Sequence, residues 1–73
     1  GPGVHSDPSH LSWSHIYLGR MYDVEGKRDL AVVEYRAALA VAGAPDSART
    51  AAQHGIEAGY QTPSRDKQSD GKS

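Results

Sequence analysis

The sequence predicts an all-α fold, an antiparallel helix-turn-helix followed by a third, capping helix, with disordered termini. Three observations carry this. Apolar side chains recur at three- and four-residue spacing in three successive stretches, which is the period of a helix and not of a strand. Short Gly, Pro and Asp punctuation separates the stretches. The chain outside them is polar: from Thr62 to Ser73 the only apolar side chain is that of Pro63.

The first stretch opens at Asp7-Pro8-Ser9. Asp is a good N-cap and Pro is favoured at the first helical position; Ser12 is a second candidate cap. Trp13, Tyr17, Met21 and Val24 then follow at helical spacing, with Ile16, Leu18 and Tyr22 beside them. Glu25-Gly26 ends the helix, because Gly takes a left-handed terminal conformation without a Cβ penalty.

After Gly26-Lys27-Arg28, Asp29 is the expected cap of a second helix from Leu30 to Ala42. One stripe is Ala31, Tyr35, Ala38, Leu39 and Ala42; another is Leu30, Val33, Ala37 and Val41. A helix apolar almost all round must be covered on several sides. The first helix is expected to cover one stripe and the third helix much of the other.

Ala42-Gly43-Ala44-Pro45 stops the second helix, and Asp46 or Ser47 caps the third. It runs through Ala48, Ala51, Ala52 and Ile56 to Gly59. Within it, Gly55 reads as a weakness of about 1 kcal/mol relative to Ala.

The 73 residues divide into a leader (1–8), one helical domain (9–60) and a tail (61–73). So small a domain buries only about 60% of its unfolded surface and is marginal alone. Without cysteine it has no disulfide to help. Gly1-Pro2 reads as a protease-cleavage scar, so a piece of a longer protein is expected. The tail is too polar to offset its ordering entropy. The richness in Ala and Arg suits a high-GC bacterial genome. Compartment is not legible.

Residues 13–46 resemble one tetratricopeptide repeat. Leu18-Gly19, Tyr22, Gly26, Ala31, Tyr35 and Ala38-Leu39 fall in register with the sparse pattern of that helix pair. His15 stands where a bulky residue is usual, and Pro45 comes two residues late. The resemblance implies that Gly19 and Ala31 let the two helices approach while Tyr22 and Tyr35 fill the space between them. The third helix resembles the start of a following repeat or its cap, with Gly55 placed 36 residues after Gly19. Arg49, Gln53, His54 and Glu57 are its expected polar outer face.

The resemblance further implies a non-catalytic protein-protein interaction module that binds a peptide or protein segment on its first-helix face. Carried over by register, the partner-binding residues are Trp13, Ile16, Tyr17, Arg20, Asp23, Arg49, Gln53 and Ile56. Ile16 and Arg20 stand where the family's carboxylate clamp needs Lys and Asn, so a clamp for a chain's terminal carboxylate is not expected. Trp13 and Ile16 have a competing role, packing on a further helix upstream. The alternatives are self-association through Leu30, Val33, Ala37 and Val41, or docking to an upstream enzyme domain.

Other chemistry finds little support. His5, His10 and His15 diverge on a helix, and no Cys or His-Glu-x-x-His motif accompanies them, so no metal or other cofactor is expected. Asp7, Ser9 and His10 are adjacent in sequence only, which does not make a catalytic triad. Eight Lys and Arg against nine Asp and Glu leave a net charge of -1, and the basic residues are interleaved with acidic ones. Nucleic-acid binding needs a clustered basic face and is not expected. No apolar run approaches the roughly 20 residues of a membrane span.

Overall fold

The structure, a computed structural model, describes residues 7–60. Three helices follow one another: α1 (Pro8–Val24), α2 (Arg28–Ala40) and α3 (Asp46–Ala58). The described residues hold no strand, and none of their helices is long and apolar enough to cross a membrane. Each helix touches both others. The expected tail and most of the leader lie outside the described residues.

Local chemistry sets the ends of α1. The Asp7 carboxylate accepts the His10 backbone N–H at 2.7 Å, a side-chain N-cap. Ser12, the other candidate, is buried inside the helix, where its hydroxyl donates to the Pro8 carbonyl at 2.8 Å. Gly26 reverses the chain at φ +81°, a region costly for any residue with a Cβ.

Two expected caps shift. α2 begins at Arg28, because the Lys27 carbonyl already accepts the Ala31 N–H at 3.0 Å. Asp29 therefore lies in the first turn, where its charge suits the helix dipole. α3 starts at Asp46 with Pro45 as its N-cap, and neither Asp46 nor Ser47 caps it with a side chain. α2 also stops at Ala40 rather than Ala42, and Val41 is already extended.

The core is small and sits on one stripe of α2. Ile16, Ala31, Tyr35, Ala38, Ala48 and Ala52 are buried, and Gly19 and Gly55 are buried with them. Trp13, Tyr22, Leu39 and Ile56 pack around this cluster, partly buried. Alanine and glycine keep the three backbones close enough for one ring to fill the centre.

That ring belongs to Tyr35, which is 1% exposed. A Cβ on Gly19 would lie 2.6 Å from Tyr35 Cε1, and one on Gly55 would lie 2.5 Å from Tyr35 Cζ. The ring is held between two glycines on two helices. Gly55 is thus more than a propensity defect: its missing side chain is the space the ring occupies.

One expected contact is incomplete. Of the stripe Leu30, Val33, Ala37 and Val41, Leu30 remains 46% and Val33 59% exposed, while Ala37 and Val41 are half-buried. α1 and α3 instead share the Tyr35 stripe, because both glycines that accommodate the ring are on those two helices.

Candidate functional site

The strongest polar feature lies beside the Tyr35 ring. Asp23, on the last turn of α1, has a side chain only 5% exposed. Its Oδ2 accepts the Tyr35 hydroxyl at 2.7 Å and the Tyr60 backbone N–H at 2.9 Å. Arg28 Nη1 donates to Oδ1 at 2.7 Å and to Oδ2 at 2.9 Å. Arg28 Nη2 donates to the carbonyls of Gly55 and Ile56, each at 2.7 Å. One carboxylate and one guanidinium therefore tie α1, α2 and the end of α3 together.

Burial alone would raise the Asp23 pKa. The hydrogen bonds from Tyr35, Arg28 and the Tyr60 N–H, with the Arg28 charge, outweigh it and hold the carboxyl below its ordinary 3.8. Burial, and then the bond to Asp23 and its charge, push the Tyr35 hydroxyl well above its ordinary 10.0. Among the described residues no buried side-chain polar atom lacks a partner. This cluster is a satisfied staple, so Asp23 leaves the set of expected partner-binding residues.

The exposed site lies next to it. The Arg20 guanidinium carbon sits 5.7 Å from the Trp13 ring centroid, 5.9 Å from Tyr17 and 4.8 Å from Tyr60. The Trp13 and Tyr17 rings are 5.8 Å apart and tilted by 35°. Helical spacing puts residues 13, 17 and 20 on one face, and Tyr60 reaches them because Gly59, at φ +79°, turns the chain back after α3. Stacked rings immobilise the guanidinium while leaving its N–H edge for hydrogen bonding. No acidic side chain pairs with Arg20 among the described residues.

Two open grooves meet at Arg20 and Tyr60. One, of about 490 Å³, is walled by Tyr17, Met21, Val24 and Glu25. The other, of about 310 Å³, is lined from α3 by Ser47, Thr50, Ala51 and His54.

Of the expected binding residues, Trp13, Tyr17 and Arg20 come together. Ile16 does not join them: at 0% exposure it is core, since it points into the α1–α2–α3 seam. Arg49 and Gln53 are exposed but lie on a different stripe of α3 from the groove-lining Ser47, Ala51 and His54. Ile56 is half-buried against the core. A simple 36-residue translation places Arg49, Gln53 and Ile56 beside Trp13, Tyr17 and Arg20. In the structure the buried positions keep that offset, Ala48, Ala52 and Gly55 matching Ser12, Ile16 and Gly19. Helices so related meet across a groove with opposite flanks, so α3 lines it with Ser47, Thr50, Ala51 and His54, and Arg49 and Gln53 lie on the far flank.

Comparison with protein-family models, curated proteins and solved structures gives no match. The site therefore rests on its own geometry. Its members missed in the sequence include Tyr60, then Met21, Val24 and Glu25 of α1 and Ser47, Thr50, Ala51 and His54 of α3. Tyr60 follows a helix-ending Gly and carries no periodic signal. The α3 residues become legible only once it is known which flank of that helix faces α1. Among the described residues no three His, Asp or Glu side chains gather as metal ligands.

Proposed function

We propose that this chain is a non-catalytic protein-interaction module, a tetratricopeptide-like helix pair with a capping helix, that receives an extended partner segment along α1. The Arg20 cluster carries the reading. A cation without an acidic partner among the described residues, fixed among three aromatic rings where two grooves meet, suits an acidic side chain flanked by apolar ones. Tyr17, Met21 and Val24 would take the apolar side chains, and the Arg20 N–H edge the carboxylate. Trp, Tyr and Arg are the residues enriched at binding hot spots. The exposed Arg49, Gln53, His54 and Glu57 of α3 support the capping role. Burial of a few hundred Å² at about 25 cal/mol per Å² sustains only modest affinity.

Selection of a random peptide library on the chain tests this. Enriched peptides should pair an acidic residue with neighbouring aromatic or aliphatic ones. Arg20→Ala should weaken them about tenfold or more, whereas Arg49→Ala, on the other stripe, should not. Peptides that bind Arg20→Ala as well as the parent chain would overturn the proposal.

A further inference from the structure

We infer that a second copy of this chain covers the outer face of α2, in an antiparallel α2–α2 pairing whose two-fold axis passes between Leu30 and Val33. This face is separate from the Arg20 grooves, and the inference does not depend on the peptide-binding reading.

The apolar part comes first. Leu30 and Val33 are among the exposed large apolar side chains, as are Leu11 and Leu18 of α1. His15 and Glu34 join the two helices on this side: His15 Nδ1 lies 2.8 Å from Glu34 Oε1, and the carboxylate can only accept there. Leu11 and Leu18 lie one turn either side of His15, and Leu30 one turn before Glu34. The two apolar stripes therefore flank a seam whose own polar groups are already paired, so the face can be buried without stranding a charge.

The charges then select the occupant and its register. On one flank of Leu30 and Val33 lie Asp29 and Arg36, seven residues apart, and on the other Lys27 and Glu34, also seven apart. In an antiparallel pair each flank meets itself reversed. An axis between Leu30 and Val33 sets Leu30 of one copy on Val33 of the other. It brings Asp29 opposite Arg36 on one flank and Lys27 opposite Glu34 on the other, each twice by symmetry. Asp29 and Arg36 are exposed and form no ion pair among the described residues. Lys27 pairs within its own chain with Glu25 at 3.3 Å and retains further donor capacity. Sliding the pair one heptad toward the C-terminal end sets Arg36 against Arg36, which is repulsive. Both flanks thus favour the same register, and the face is complementary to itself.

Sedimentation equilibrium of the full 73-residue chain, from about 10 μM to about 1 mM, is the test. The parent chain should form dimers within this range. Val33→Glu should be monomeric with unchanged helicity, because Val33 is exposed in the single copy. Asp29→Arg and Arg36→Asp should each weaken the dimer roughly tenfold, and an equimolar mixture of the two should restore it, since every flank is then complementary again. A parent chain that stays monomeric at about 1 mM, an unaffected Val33→Glu, or a mixture no tighter than its components overturns the inference.

Discussion

The Tyr35 hydroxyl and the Asp23 carboxylate, 2.7 Å apart, connect the packing centre of the domain to its main polar staple. The ring of Tyr35 separates α1 from α3, and its oxygen holds the carboxylate that Arg28 and the Tyr60 N–H also engage. Tyr35→Phe keeps the ring between Gly19 and Gly55 and removes only the bond. Urea unfolding should show a loss of about 1.5–3 kcal/mol, the range for hydrogen bonds to charged groups. An unchanged midpoint would show that the hydroxyl contributes nothing net.

Stability should fall at both ends of the pH scale, through different residues. The Asp23 pKa is lowered by folding. Its contribution is complete above the unfolded value and is lost as pH falls through the lower folded value, so the acid limb begins near about pH 4. The Tyr35 pKa is raised. Its contribution holds below about pH 10 and is lost as pH rises through the folded value. Asp23→Asn should be less stable at neutral pH and show a shallower acid limb. An identical acid limb in parent and variant would place the linkage elsewhere.

Arg28 serves α3 as well as Asp23. Its Nη2 donates to two carbonyls of the last turn of α3: that of Gly55, which also accepts the Gly59 N–H at 2.9 Å, and that of Ile56, while the Tyr60 N–H four residues on donates to Asp23 instead. Lysine keeps the charge and loses the fork. Arg28→Lys should cost about 1–2 kcal/mol, and hydrogen exchange should speed up at the end of α3 before the centre of α1. Uniform acceleration over all three helices would contradict this order.

The helix pair was legible because its signals are local. Gly19, Gly26, Ala31 and Tyr35 state their spacing within a few turns, and the structure buries Gly19, Ala31 and Tyr35 and reverses the chain at Gly26. The pairing of Gly55 with Tyr35 was half legible: its offset from Gly19 was visible, but its contact with the ring was not. The Asp23–Arg28 staple was not legible, since its carbonyl acceptors lie 27 and 28 residues beyond Arg28 and carry no side-chain signal. The 36-residue offset itself holds, since α3 buries Ala48, Ala52 and Gly55 where α1 buries Ser12, Ile16 and Gly19; Arg49, Gln53 and Ile56 miss the groove because helices related by translation face each other with opposite flanks.

The domain stands on the Tyr35 ring lying between Gly19 and Gly55, and a double-mutant cycle in urea tests this most directly. The variants are Gly55→Ala, Tyr35→Leu and the two together. At an unconstrained helical position Gly→Ala stabilises by up to about 1 kcal/mol. Here the added methyl meets the ring, and Gly55→Ala should destabilise by about 1–3 kcal/mol. With Tyr35→Leu already present much of that penalty should vanish, giving a coupling of about 1 kcal/mol or more. A stabilising Gly55→Ala, or additive effects in the double variant, would contradict the account.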